Sequence, residues 1–87
     1  IIKVSLRYSK GEGDMTKADR NLLDYIVVCI SEFANRYEMH MRDAYVYLNR
    51  YKGIEFLKEF YDVEHTLSFE DAVDDLAAIC RKNGGVA

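Results

Sequence analysis

The chain contains no proline, and this favours helices joined by short connections because proline interrupts a helix. It also lacks an excess of positive charge: the formal net charge is -3 and the isoelectric point is about 5.3. General nucleic-acid binding needs a positive field. No apolar run approaches the roughly 18 residues of a membrane span, and the first residues lack the apolar core of a signal peptide. We therefore predict a cytoplasmic domain that uses neither a membrane nor nucleic acid as its partner.

Cysteine and histidine are scarce, with two residues of each type. Cys29 and Cys80 fall on apolar helical positions, where free thiols behave as small hydrophobic side chains. A zinc site would favour a CxxC or an HxxxH spacing, and the sequence contains neither. The sequence thus predicts no metal, no cofactor and no catalytic residues. His65 lies close to Asp62 and Glu64 in the sequence, and two interpretations of it stay open. It has a metal-binding or acid–base role, or it forms local hydrogen bonds that order the turn into the next helix.

The longest apolar segment, LLDYIVVCISEFANRY at residues 22–37, is the predicted centre of the fold. Large side chains recur there with helical spacing, which predicts a broad buried face. Its members are Leu22, Leu23, Ile26, Val27, Ile30, Phe33, Ala34 and Tyr37. Thr16 is the expected N-cap, with Asp19 in the capping-box position. The first helix therefore covers about residues 17–37.

Three shorter helices are expected after it, at about residues 42–50, 54–61 and 69–82. Gly53 either ends the second helix or opens the third. Ser68 is the expected cap of the fourth, which Asn83, Gly84 and Gly85 end. Helical spacing predicts that the following residues point inward: Ala44, Tyr45, Leu48, Tyr51, Ile54, Leu57, Phe60, Tyr61, Phe69, Ala72, Val73, Leu76, Ala77 and Cys80. The predicted fold is all-α, a compact four-helix domain over residues 15–87.

Residues 1–14 are predicted to form a separate strand-like arm followed by a flexible linker. Residues 1–9 alternate between apolar and polar side chains, and KGEGD follows at residues 10–14. No second strand is expected, so this strand needs another chain, a copy of itself or solvent as its partner. Two origins stay open, an appended piece or a natural arm used in assembly. Pairing of two arms would make the protein a self-assembling homodimer.

Carboxylates dominate the stretch from residue 62 to residue 78, which has no lysine or arginine. They are Asp62, Glu64, Glu70, Asp71, Asp74 and Asp75. One interpretation is a solvated helix face that complements the helix dipole. The other is an acidic face that docks onto a basic protein surface. With His65, these acids are candidate partner-binding residues.

Aromatic side chains are dense between residues 45 and 61, and most are expected in the core. Tyr47 and Phe56 fall off the inward-facing positions, so they are candidate interface residues. The helices on either side of Gly53 also suggest a helix-turn-helix. The would-be recognition helix, IEFLKEFYD, has one lysine against Glu55, Glu59 and Asp62, a poor composition for a DNA groove.

Residues 21–85 resemble a family of small bacterial domains, domain-of-unknown-function family three-seven-nine-one. The resemblance is carried by NLLDYIVVCISEFANRY and by AYVYLNRYKGIEFLKEFYDVEHTLSFEDAVDDL, in which YDVEHT is the most distinctive part. It implies a short helical protein without an assigned activity. Met41 departs from the family, whose members often have a helix-capping residue there.

The resemblance also implies a partner, since genes of this family tend to lie beside one for an ADP-ribosyltransferase-like protein. Such a pair is similar to a toxin with its antitoxin. We therefore expect a non-enzymatic protein-interaction domain, an antitoxin-like partner or inhibitor of an ADP-ribosyltransferase-like toxin. The acidic face would imitate phosphates and block a basic active site. The alternative is the self-assembling module that dimerises through its N-terminal strand.

Overall fold

A computed structural model describes residues 16–86 of the chain. The structure over these residues is all-helical, as predicted, but it has five helices instead of four. They are α1 (Lys17–Tyr37), α2 (Met41–Arg50), α3 (Gly53–Glu59), α4 (Tyr61–Glu64) and α5 (Phe69–Lys82). The predicted strand-like arm of residues 1–14 lies outside the described residues. None of the helices in the described part is long and apolar enough to cross a membrane.

The caps of α1 are those that the sequence predicts. The Thr16 hydroxyl accepts a hydrogen bond from the Asp19 amide at 3.0 Å, and the Asp19 carboxylate accepts one from the Thr16 amide at 3.4 Å. This reciprocal pair satisfies two amides that the first helical turn leaves without partners. The helix ends where Glu38 adopts a left-handed conformation with φ 56°. The chain then reverses directly into α2.

Gly53 opens α3 and does not end α2, which settles the alternative left by the sequence. The preceding Lys52 makes the turn with a positive φ of 73°. A Cβ atom at position 53 would lie 2.9 Å from Leu48 Cδ2 and 3.2 Å from the Leu48 carbonyl oxygen. Glycine is therefore needed because α2 and α3 approach each other closely at this corner.

The core lies between α1 and the helices that pack on it, α2, α3 and α5. Its buried apolar side chains are Tyr25, Ile26, Cys29, Ile30, Phe33, Ala34, Ala44, Leu48, Ile54, Leu57, Ala72, Val73, Leu76, Ala77 and Cys80. The two cysteines are free and buried, as predicted. Each is fully enclosed, and burial raises the pKa of each thiol to about 11. Both thiols are therefore protonated at neutral pH and behave as packing groups.

Several side chains that helical spacing placed in the core are exposed instead. Tyr45 and Phe60 are each 45% exposed and Phe69 is 40% exposed, so their predicted inward orientation is wrong. Leu23 and Val27 are exposed as well, so the buried face of α1 is narrower than its apolar face. The reason is the small number of helices: four short segments do not cover every apolar side of a 21-residue helix.

The third predicted helix is split at Phe60 into α3 and the one-turn helix α4. Phe60 has φ -110° and ψ 22°, outside the helical region, and it is both the C-cap of α3 and the N-cap of α4. Its amide still donates to the Phe56 carbonyl oxygen at 2.9 Å. The break turns α4 to a new direction, which sets the orientation of the connector that leads to α5.

Candidate functional site

The connector between α3 and α5 presents an exposed apolar surface. Four large side chains contribute to it: Phe60, Val63 (60% exposed), Leu67 and Phe69. From residue 62 to residue 71, every residue except Glu64 is exposed. We call the exposed residues between positions 60 and 71 the 60–71 surface. Exposed large apolar side chains grouped along one segment of the chain favour a protein-interaction site.

Carboxylates surround these apolar side chains. Asp62, Glu70 and Asp71 are exposed, and no lysine or arginine within residues 16–86 forms an ion pair with them. Asp74 differs, because its carboxylate accepts a hydrogen bond from the Arg36 guanidinium on α1. The same guanidinium donates to the Glu70 carbonyl oxygen at 2.9 Å. Asp74 thus has a structural role in fastening α5 to α1, whereas the other three carboxylates are available to a partner.

Local hydrogen bonds order the connector, as one of the two interpretations of His65 predicted. The Nδ1 atom of His65 lies 2.6 Å from the Tyr61 carbonyl oxygen, and the Thr66 hydroxyl donates to the Val63 carbonyl oxygen at 2.6 Å. The His65 ring stacks on the Tyr61 ring with 4.4 Å between centroids. No group of three or more potential metal-ligating side chains occurs in the described part of the chain. The geometry therefore assigns His65 a role in shaping the turn.

Glu64 is the exception on this surface, and the expectation that it belongs to an exposed acidic face is wrong. Its side chain is only 5% exposed, because the single turn of α4 directs it toward α1 and α5. Burial, together with the neighbouring Asp75 carboxyl group, raises the pKa of Glu64 to about 7. Its Oε1 atom has no hydrogen-bond partner among the described residues. Such a buried carboxyl group avoids the cost of a buried charge by holding its proton.

Tyr25 and Cys29, which sequence reasoning did not single out as site residues, lie beside Glu64. Both are buried on α1, one helical turn apart. Among the described residues, the Tyr25 hydroxyl has no hydrogen-bond partner that satisfies ordinary geometry, although it lies close to the Cys29 thiol. Burial raises the pKa of Tyr25 above its usual value, and Cys29 and Glu64 raise it further. In the sequence, the one signal of this cluster is the polar hydroxyl of Tyr25 within the apolar run of α1.

Tyr25 also anchors the connector to the body of the domain. Its ring packs edge-on against Tyr61 with centroids 5.4 Å apart, and it stacks on Phe69 at 5.9 Å. One side chain of α1 thereby contacts both ends of the connector. Such aromatic pairs typically contribute about 0.5–1.5 kcal/mol each beyond the area that they bury. The position of the 60–71 surface therefore depends on Tyr25.

Two grooves border the 60–71 surface. One, of about 330 Å³, lies where the start of α1 meets the end of α3, and Tyr61 and Asp62 form one wall of it. The other, of about 340 Å³, lies between α1 and α5, with Arg36, Phe69 and Glu70 in its lining. A partner that covers the exposed surface would thus meet a concave region on either side, into which its own side chains can insert.

The remaining two candidates from the sequence lie apart from each other. Phe56 is half-buried and its ring contacts Phe60, with 5.2 Å between centroids, so it borders the 60–71 surface. Tyr47 is half-buried against Phe33 and approaches Gly85, beyond the carboxyl end of α5. The 60–71 surface includes the amino end of α5, and a 14-residue helix is about 20 Å long. Tyr47 is therefore not part of the same surface.

Comparison with known proteins gives one match. A family model described as "Protein of unknown function (DUF3791)" matches residues 24–83, which include most of α1 and the whole of α2, α3, α4 and α5. No curated protein and no solved structure matches the chain significantly. The matched range contains the whole of the 60–71 surface and the buried cluster of Tyr25, Cys29 and Glu64.

Proposed function

We propose that this chain, which belongs to the family described as protein of unknown function (DUF3791), is a non-enzymatic protein-interaction domain that binds through its 60–71 surface. One observation carries the proposal: four exposed large apolar side chains, and three carboxylates that have no ion-pair partner within residues 16–86, lie on the connector and the first turn of α5. An interface of this composition has an apolar centre and a charged rim. The partner should therefore have an apolar contact area surrounded by lysine or arginine side chains.

The apolar side chains would supply most of the affinity. Fully burying one large apolar side chain contributes roughly 1.5–3 kcal/mol, and Val63 and Phe60 have about half or more of their surface available. The carboxylates would contribute mainly to the association rate and to the choice of partner, because exposed charges act over several ångströms but are screened by salt. These two contributions predict a salt-dependent but not purely electrostatic complex.

The specific partner that we propose is an ADP-ribosyltransferase-like protein, with this chain as its antitoxin-like inhibitor. Enzymes that bind dinucleotides accommodate phosphates at positively polarised sites, often at a helix N-terminus. Asp62, Glu70 and Asp71 present exposed negative charge that would compete for such a site. The support for this partner is the charge and exposure of these residues together with the gene neighbourhood that the family resemblance implies.

Co-purification tests this function. The full 87-residue chain would be co-expressed with the neighbouring ADP-ribosyltransferase-like protein and isolated at about 0.1 M and about 1 M salt, where the screening length falls from about 10 Å to about 3 Å. We expect a stoichiometric complex at low salt and a weaker one at high salt. Absence of a complex at both concentrations would contradict the proposed partner, and a complex indifferent to salt would contradict the role of the carboxylates.

A further inference from the structure

We propose that Glu64 is a proton-controlled latch: while neutral it holds α4 against α1 and α5, and when ionised above neutral pH it releases α4 and rearranges the connector. This inference concerns the isolated chain, so it stands or falls independently of the proposed partner. It begins from a geometric conflict. Glu64 is the one charged residue in the described part of the chain that is buried, and it lies on a helix of only four residues.

Within residues 16–86, the surroundings of Glu64 offer no positive charge that would stabilise its ionised form. From α1 it is faced by Tyr25 and by Cys29, with Glu32 one further turn along the helix. From α5 it is faced by Asp75, a second carboxyl group. The helix α3 also packs on α4. Its charged residues Lys58 and Glu59 lie on the exposed side of α4, where they line a groove together with Tyr61 and Asp62. On its own segment Tyr61 and His65 stack on each other.

The neutral form suits this site better. When it is protonated, Glu64 can donate a hydrogen bond to the neighbouring Asp75 carboxylate, and such a bond would join α4 to α5. Loss of the proton would remove that bond and place two negative charges side by side in a region that excludes water. A buried charge without a partner costs several kcal/mol in general, more than a one-turn helix gains from its backbone hydrogen bonds. Release of α4 into water is the least costly response.

The direction of the pH dependence follows from proton binding. Glu64 has a higher pKa in the closed form, about 7, than in the open form, where the ordinary value is 4.5. The closed form therefore binds the proton more tightly. Its extra stability is fully present below pH 4.5, declines as the pH rises, and is lost above about pH 7. The latch thus opens as the pH rises through neutrality.

Opening would change the proposed interaction surface. Tyr61 on α4 contacts Tyr25 on α1. The same helical turn supplies the carbonyl oxygens of Tyr61 and Val63, which contact the side chains of His65 and Thr66. Release of α4 would separate Tyr61 from Tyr25 and free Val63 and Leu67 from their present arrangement. The 60–71 surface therefore has one defined geometry at acidic pH and a more variable one above neutral pH.

Amide hydrogen exchange of the full chain at pH 5.5 and pH 8.5 tests the latch. The reporters are the amides of Val63, Glu64, His65 and Thr66, which donate to backbone carbonyl oxygens within the connector. After correction for intrinsic exchange rates, we expect their protection to fall on the order of tenfold at pH 8.5. The amides at the centre of α1 should keep their protection, because they lie within a 21-residue helix that α2 and α5 also hold in place.

Three variants make the test specific. Glu64→Gln keeps a hydrogen-bond donor but never ionises, so its connector should stay protected at both pH values. Asp75→Asn removes the neighbouring carboxyl group that helps to raise the pKa of Glu64, so its fall in protection between the two pH values should be smaller than in the unmodified chain. Asp62→Asn is the matched control, since it neutralises an exposed carboxylate on the same helix, and its profile should equal that of the unmodified chain.

Equal protection of the connector at both pH values in the unmodified chain would overturn the latch. So would a fall in protection that persists in Glu64→Gln. Should that variant fail to fold, ¹³C NMR titration of the Glu64 carboxyl group in the unmodified chain decides the matter: a midpoint near 7 supports the latch, and a midpoint near the ordinary 4.5 overturns it.

Discussion

Replacing Phe33 with alanine is expected to lower the free energy of unfolding by about 3–5 kcal/mol, the typical cost of removing a buried aromatic side chain. Phe33 is fully buried near the carboxyl end of α1, and its ring contacts Tyr37 at 4.7 Å and Tyr47 at 5.8 Å between centroids. It therefore connects α1 to α2 through ring contacts. Small domains are stable by only about 5–15 kcal/mol, so this single change should leave a substantial unfolded fraction at 37 °C.

Urea denaturation followed by circular dichroism at 222 nm measures this loss. Val28→Ala is the matched control, because Val28 lies on the same helix with 38% of its surface exposed. Its effect should be within about 0.5 kcal/mol, as is usual for surface substitutions. A loss below about 1 kcal/mol for Phe33→Ala would contradict the central position of this side chain in the core.

Reversing two charges on the 60–71 surface is expected to weaken binding of the ADP-ribosyltransferase-like protein by at least about tenfold at 0.1 M salt, since like charges would then face each other. The sequence suggested Asp71, Asp74 and Asp75 for this test. The structure excludes the last two, because Asp74 pairs with Arg36 and Asp75 lies against Glu64. The appropriate variant is Glu70→Lys with Asp71→Lys, both exposed.

A matched control separates a local effect from one of net charge. Asp24→Lys with Asp43→Lys changes the net charge equally at exposed positions outside the 60–71 surface. Asp43 lies in the first turn of α2, as Glu70 and Asp71 do in that of α5, so one of the two control substitutions also opposes a helix dipole. Isothermal titration calorimetry should show near-normal affinity for the control. Equal weakening of both variants would point to a general charge effect and against the 60–71 surface.

The ends of α1 and α5 could be predicted from the sequence because the signals that determine them are local. Thr16 and Ser68 cap the two helices through hydrogen bonds to amides three residues further on, and both were identified from residue type and position. The burial of both cysteines followed from helical spacing in the same way. These features depend on neighbours within one or two turns.

The break at Phe60 and the burial of Glu64 could not be predicted, because neither has a local signal. No glycine or proline marks the end of α3, and a glutamate on a short helix is ordinarily exposed. Its burial depends on where α4 meets α1 and α5, which is a property of the assembled fold. Tyr45 shows the converse: its spacing favours the core, but no helix of the described chain covers that side of α2.

The exposed apolar residues form more than one region, and this defines the decisive experiment. Besides the 60–71 surface, Leu23 and Val27 on α1 and Tyr45 and Val46 on α2 are exposed. Backbone amide NMR shifts of the ¹⁵N-labelled full chain, measured during titration with the ADP-ribosyltransferase-like protein, distinguish these regions. Our account predicts the largest shifts at Val63, Leu67, Phe69, Glu70 and Asp71. Shifts concentrated at Leu23, Val27, Tyr45 and Val46, with the connector unchanged, would contradict it.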